Sequence, residues 1–191
     1  MHVHPGRIDV VGDEDARRPG RGGPVEDARP VADQGAKIRL EGPKGKRELP
    51  LEKFFVIPKS ENEREYDLRP NEIVTEVVIP AASGVKAAHY EIRQKEAFDW
   101  PLAVAAVTLK MSGSNAQSAR VVMGYVAPAP WPSAEGEQAL AGQPINEGTA
   151  QKAAEAAVKN AKPLSHNAYK VQLARVAVKR AILKAASGGA A

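Results

Sequence analysis

The chain contains no cysteine, which excludes a disulfide framework, a thiolate metal site, a cysteine nucleophile and a directly ligated iron–sulfur cluster. Aromatic residues are only 5% of the 191 positions, so a core has to be built from Val, Ile, Leu and Ala. No apolar run approaches the roughly 18 residues that span a bilayer, and no signal-peptide apolar region follows Met1. The sequence lacks a G-x-S-x-G elbow, an H-E-x-x-H pair, a Walker loop and a G-x-G-x-x-G loop, so the familiar short catalytic motifs are absent. A soluble, cytoplasmic chain is expected.

An excess of one charge sign is also missing. Lys and Arg number 27 against 23 Asp and Glu, a net charge of +4, and the two signs are interspersed. The main basic excess, Lys170, Arg175, Lys179, Arg180 and Lys184, falls in a final predicted helix, where positive charge near the C-terminus complements the helix dipole. No aromatic residues alternate with these cations to form a base-stacking platform, so no nucleic-acid partner is expected. Of the four histidines, His2 and His4 sit at the N-terminus without further ligands, His89 in a predicted strand and His166 beside a helix start. Polar and structural roles therefore suit them better than a metal site.

What is present divides the chain. Residues 11–34 are dominated by Arg, Asp, Glu, Gly and Pro and cannot bury enough surface to offset ordering entropy, so residues 1–34 read as irregular or disordered. From residue 36 apolar and polar residues alternate. Strands are expected at 37–40, 47–49, 73–79, 88–94, 103–111 and 118–127, the last two joined by a hairpin turn. Consecutive prolines in PAPWP should end the last strand. Helical patterning follows: a helix N-capped by Ser133 and running to 140, a second over 149–161, and a third capped by Ser165 or Asn167 and running to about 186. The third has an apolar stripe at Val171, Ala174, Val178 and Ala181. Strands first and helices last predict an α+β fold, an antiparallel sheet packed against a C-terminal three-helix layer.

Three segments carry a resemblance. KFFVIPKSENEREYDLRPNEIVTEVVIP (53–80), HYEIRQKEAFDWPLAVAAVTL (89–109), and ARVVMGYVAPAPWPSAEGEQALAGQPI with AKPLSHNAYKVQLARVAVKRAIL (119–183) together resemble the second half of the FAD-binding (medium) subunit of the molybdenum hydroxylases, the xanthine and carbon monoxide dehydrogenase family. The resemblance implies a partial FAD-domain segment followed by a carbon monoxide dehydrogenase flavoprotein C-terminal-type domain. On that basis residues 35–80 are the remnant of a second FAD-binding subdomain, 81–186 the C-terminal α+β domain and 187–191 a frayed tail. It further implies an oxidoreductase subunit of the xanthine dehydrogenase type. FAD would pass electrons from [2Fe–2S] clusters in a small partner subunit to NAD or another acceptor, and the molybdenum cofactor would belong to a large partner subunit.

Site residues transfer less completely. The two Gly-rich loops with which the family holds the FAD diphosphate do not occur in this sequence. The chain therefore reads as a truncated subunit, expected to bind FAD weakly or not at all alone, or as a docking module that no longer binds it. Arg7 stands where the family has a flavin-contacting Asp. Val74 occupies a position where an aliphatic side chain packs near the flavin, or is a plain core valine. The family's cofactor-contacting Lys falls at Glu91, and a carboxylate cannot supply an ammonium's donors. Arg93, Lys95 and Asp99 belong to the loop expected at the flavin's edge, or to a charge cluster facing solvent or a partner chain. Phe98 and Trp100 cover a flavin face or pack a domain seam. Trp131 is expected to staple sheet to helices.

Overall fold

The computed structural model describes residues 10–11, 35–81, 84–95 and 99–188, which fall into two compact units divided between Ala82 and Ser83. Expectations for the rest of the charged N-terminal stretch, for Phe98 and for the last three residues lie outside the described residues.

The first unit is a four-stranded sheet in the order β1-β4-β2-β3, with β1 Val10–Val11, β2 Lys37–Gly42, β3 Gly45–Pro50 and β4 Ile73–Val78. The backbone of β1 runs parallel to β4, and the other pairings are antiparallel. Alternation in β2 buries Ile38 and Leu40 on one face while Lys37, Arg39 and Glu41 stay exposed on the other. The inward row joins Ala36, Leu51, Phe54 and Val77 in a small core. A single-turn helix α1, Leu51–Phe54, supplies Leu51 and Phe54 to that core. On the outward face Glu48 accepts from Lys37 Nζ at 2.8 Å and Arg39 Nε at 3.0 Å, and Glu76 accepts from Arg39 Nη1 at 2.6 Å. These pairs form a solvated charge ladder across three strands.

The excursion from α1 to β4 is tied down at both ends. Asp67 N donates to Phe54 O at 2.7 Å, and the Tyr66 ring stacks on Phe54 with centroids 5.9 Å apart. Arg47 of β3 then forms a fork on Glu72, Nε to Oε1 at 3.0 Å and Nη2 to Oε2 at 2.8 Å, and also reaches Asp67. Such bidentate, charge-assisted pairs are directional as well as attractive. Arg47 holds the Glu72 carboxyl well below its usual value, at about 2, helped by the Arg69 backbone amide. Glu72, in the Pro-x-Glu-Ile stretch, is thus a structural staple.

The second unit is an antiparallel sheet in the order β5-β6-β7-β8, from β5 Val85–Ile92, β6 Ala103–Ser112, β7 Asn115–Gly124 and β8 Trp131–Pro132. Ser112 pairs with Asn115, so β6 and β7 are joined by two residues, and Gly113 takes the positive φ, 62°, that such a turn demands. Three helices complete the unit: α2 Ala134–Leu140, α3 Glu147–Val158 and α4 Tyr169–Ala186. Ala103, Ala105, Val107 and Leu109 of β6 share one core with Leu140 and with the alanine-rich faces of α3 and α4. Alanine at eight helical core positions lets the helices approach closely, which suits a sequence short of aromatics. The α+β architecture, antiparallel sheet plus three helices, agrees with the sequence expectation.

Several local expectations are corrected. PAPWP does not end the sheet: Trp131 and Pro132 pair with Met123 and Val122. Proline is tolerated there because β8 is an edge strand, where the missing N–H faces outward. Trp131 lies in edge strand β8 and is 47% exposed, rather than buried between sheet and helices. Neither Ser165 nor Asn167 caps α4. Its N-cap is Ala168, without a side-chain bond, because Asn167 Oδ1 instead accepts from Leu164 N at 2.7 Å. The second helix starts at Glu147 rather than 149, since Asn146 and Thr149 form a reciprocal capping box.

Candidate functional site

The sheet of the second unit has two unlike faces. On β6 the odd-numbered residues face the helices, so Val104, Ala106 and Thr108 point the other way, yet all three are buried. In register, Glu91, Val104 and Gly124 form one row across β5, β6 and β7 on that second face. The row lies at one end of the sheet, where β5 runs into the loop to β6 and β7 runs into Tyr125.

The sequence-predicted residues gather at this end. Glu91 is largely buried, its side chain 15% exposed, and is paired with the more exposed Arg93. The loop closes where Leu102 N donates to Ile92 O at 2.7 Å, and within it Asp99 Oδ2 accepts from Lys95 N at 3.1 Å. Asp99, the neighbour of Trp100, is therefore tied to the backbone of Lys95. Glu91, where the resemblance puts the family's cofactor-contacting Lys, is thus a carboxylate held by Arg93 rather than a free cation. Ile92 packs on the helix-side core. Val74 belongs to the first unit, half-buried against its core. Phe98 and Arg7 lie outside the described residues.

Trp100 is the conspicuous group. It is 67% exposed, although an indole would normally be largely buried. Its ring is tilted at 55° against Tyr125, centroids 6.2 Å apart. Tyr125 has a φ of 60°, a left-handed conformation that costs energy in a non-glycine residue and concentrates at functional positions. Lys170 Nζ donates to the Tyr125 carbonyl at 2.8 Å. That bond corrects the reading of Lys170 as a dipole-complementing cation: it lies in the first turn of α4, where positive charge is unfavourable, and it is retained by tying α4 to this corner. Tyr125 and Lys170 were not singled out as site residues, because nothing in GYVAPAPW signals a left-handed tyrosine.

These groups suit a planar aromatic ligand. An exposed indole beside a phenol offers a π-face for stacking, with Lys95, Arg93 and Asp99 at its margin. They do not make a diphosphate site, since Arg93 is engaged by Glu91 and the sequence contains no Gly-rich phosphate loop. Among the described residues no cluster of His, Asp or Glu could hold a metal ion, and no helix is long and apolar enough to cross a membrane.

Residues 88–185 match the family described as the CO dehydrogenase flavoprotein C-terminal domain. The chain is 31% identical over 151 residues to the carbon monoxide dehydrogenase medium chain of Hydrogenophaga pseudoflava, covering 77% of this chain and 51% of that one. It is 26% identical over 146 residues to the glyceraldehyde dehydrogenase medium chain of Sulfolobus acidocaldarius, covering 72% and 50%. Its fold is similar to that of quinoline 2-oxidoreductase from Pseudomonas putida 86, with a TM-score of 0.73 at 28% identity over 83% of this chain and 54% of that one. The chain thus spans about half the length of the curated relatives it matches.

Proposed function

Because the chain belongs to the CO dehydrogenase flavoprotein C-terminal domain family, we propose that it is the C-terminal part of an FAD-binding medium subunit of a molybdenum-hydroxylase-type oxidoreductase. The observation that carries this reading is the exposed Trp100, next to Asp99 and backed by a strained Tyr125, in a segment matched to that family. In this reading Trp100 and Tyr125 offer a surface to one side of the isoalloxazine ring. Lys170 holds the Tyr125 backbone in place for that contact, and the Glu91–Arg93 pair closes the corner.

When bound, the flavin supplies a redox centre that takes up and releases electrons, and the protein's share is to position it and shield it from water. The electrons would arrive from [2Fe–2S] clusters in a small partner subunit and leave to NAD or another acceptor. The molybdenum cofactor would reside in a large partner subunit. That division fits a chain with no cysteine to ligate a cluster. Val74 is proposed, on the resemblance alone, as an aliphatic residue of the first unit's own FAD-domain segment.

A second reading, a docking module of such a complex that carries no flavin, is favoured by the carboxylate at Glu91, where the resemblance expects a cation. Titrating the chain with FAD, FMN and riboflavin while following tryptophan fluorescence separates ring recognition from phosphate recognition. The proposal expects weak quenching of similar strength for all three, lost in Trp100→Ala. Tight binding specific to FAD would place phosphate recognition in this chain and overturn the assignment. Quenching unchanged in Trp100→Ala would remove Trp100 from the site.

A further inference from the structure

The connection from α3 to α4, residues 159–168, presents a surface that the functional reading leaves unused. With the first turn of α4 it carries three lysines, Lys159, Lys162 and Lys170, and no aspartate or glutamate. Lys159 and Lys162 are exposed and meet no carboxylate among the described residues. The cations further along α4 do: Arg175 reaches Glu155 at 3.8 Å and Lys179 reaches Glu147 at 2.7 Å.

The large apolar side chains of this stretch are exposed as well, Leu164 at 74% and Tyr169 at 56%. A single exposed leucine is ordinary, but this one sits on a closed turn. Asn167 Oδ1 accepts from Leu164 N at 2.7 Å, and Asn167 N donates to Leu164 O at 3.3 Å. Both ends of the connection are pinned. Asn160 Nδ2 donates to Glu135 Oε1 of α2 at 2.9 Å, and Lys170 Nζ donates to Tyr125 O at 2.8 Å. The chain between those anchor points, from Tyr125 to Glu135, holds Val126 and Trp131, both exposed. Trp131 pairs with Met123, whose side chain lies in the helix-side core, so the indole projects from the sheet face that carries the helices.

We propose that this surface docks an acidic segment of a partner protein, its carboxylates facing Lys159 and Lys162 and its apolar side chains covering Leu164, Tyr169 and Trp131. Charge complementarity selects this occupant. Cations without carboxylate partners, set beside apolar anchors, steer and orient an acidic partner, and a turn already closed lowers the ordering cost of binding. Three lysines fall short of the roughly four to eight basic residues with which a chain grips an anionic bilayer. The stretch also has no arginine to fork onto nucleic-acid phosphates.

The test uses the full chain and a short fluorescent peptide carrying Glu and Leu between serines. Anisotropy measures binding, and amide chemical shifts locate it. Shift changes are expected at residues 126–131 and 159–170, and binding should weaken with salt. Lys162→Glu should weaken it by about two- to fivefold, the scale of an exposed ion pair. Leu164→Ala should weaken it by about fivefold or more, the scale of a few methylene groups no longer buried. Both side chains are exposed, so the melting temperature should stay unchanged. Five results would each overturn the proposal: no binding at millimolar peptide, equal binding of a Lys-for-Glu peptide, binding indifferent to both substitutions, shift changes confined to other residues, or the same residues shifting on self-association without peptide. Tighter binding of phosphatidylserine vesicles or of oligothymidylate than of the peptide would overturn it too. None of these outcomes depends on flavin, so the functional reading stands or falls separately.

Discussion

Arg47 and Glu72 stand 25 positions apart in sequence yet form the bidentate contact that fixes the approach to β4. The Glu72 carboxyl, drawn down to about 2 from its usual 4.5 by Arg47, is depressed in the folded state. Its stabilising contribution is therefore complete above about pH 4.5 and lost as pH falls toward 2. Urea midpoints measured across this range for the native chain and Glu72→Gln should differ most at neutral pH and converge in acid; parallel curves would contradict the assignment. Such a pair is not legible in sequence, because no periodicity links positions 47, 67 and 72, and only the folded hairpin brings them together. Ser133 is the opposite case. Its cap was legible from one serine before a helical run, and it forms: Gly136 N donates to Ser133 Oγ at 3.1 Å in a buried setting. Ser133→Ala should cost about 1 kcal/mol in chemical denaturation, the usual scale of a lost cap.

Between elements, the helix layer depends on small residues. Gly136 of α2 faces α3 so closely that an added Cβ would sit 3.2 Å from Ala157 Cβ and from Ser133 Oγ, and 3.4 Å from Ala153 O. Replacing a helical glycine with alanine ordinarily stabilises by about 0.5–1 kcal/mol. Here the neighbours are a buried cap and the next helix, so Gly136→Ala should lower the urea midpoint, and a higher midpoint would show that α3 can yield. Ile182, fully buried between α4 and the sheet, should cost about 2–5 kcal/mol on truncation to Ala. Most elements were legible: β-branched residues marked β4, the apolar stripe marked α4, and the turn at Gly113 marked the β6–β7 hairpin. The start of α4 and the strand at Trp131–Pro132 were not. Asn167 was drawn to Leu164 by the preceding turn, and an edge position rescued the proline. These are tertiary choices that override local preference.

At the scale of the whole molecule, each of the two units has its own core, and the residues proposed at the flavin ring, Glu91, Arg93, Asp99, Trp100 and Tyr125, all belong to the second. The family and the antiparallel-sheet-plus-helices architecture were readable from collinear motifs. The strained Tyr125 and its Lys170 tie were not, because backbone conformation at a non-glycine residue leaves no trace in composition. The most direct test of the account is the visible absorbance spectrum of the complex formed when this chain is co-purified with the molybdenum and iron–sulfur chains proposed as its partners. The account predicts a flavin band whose intensity or position changes in Trp100→Ala, whereas a stable complex without flavin would contradict it and leave the docking-module reading.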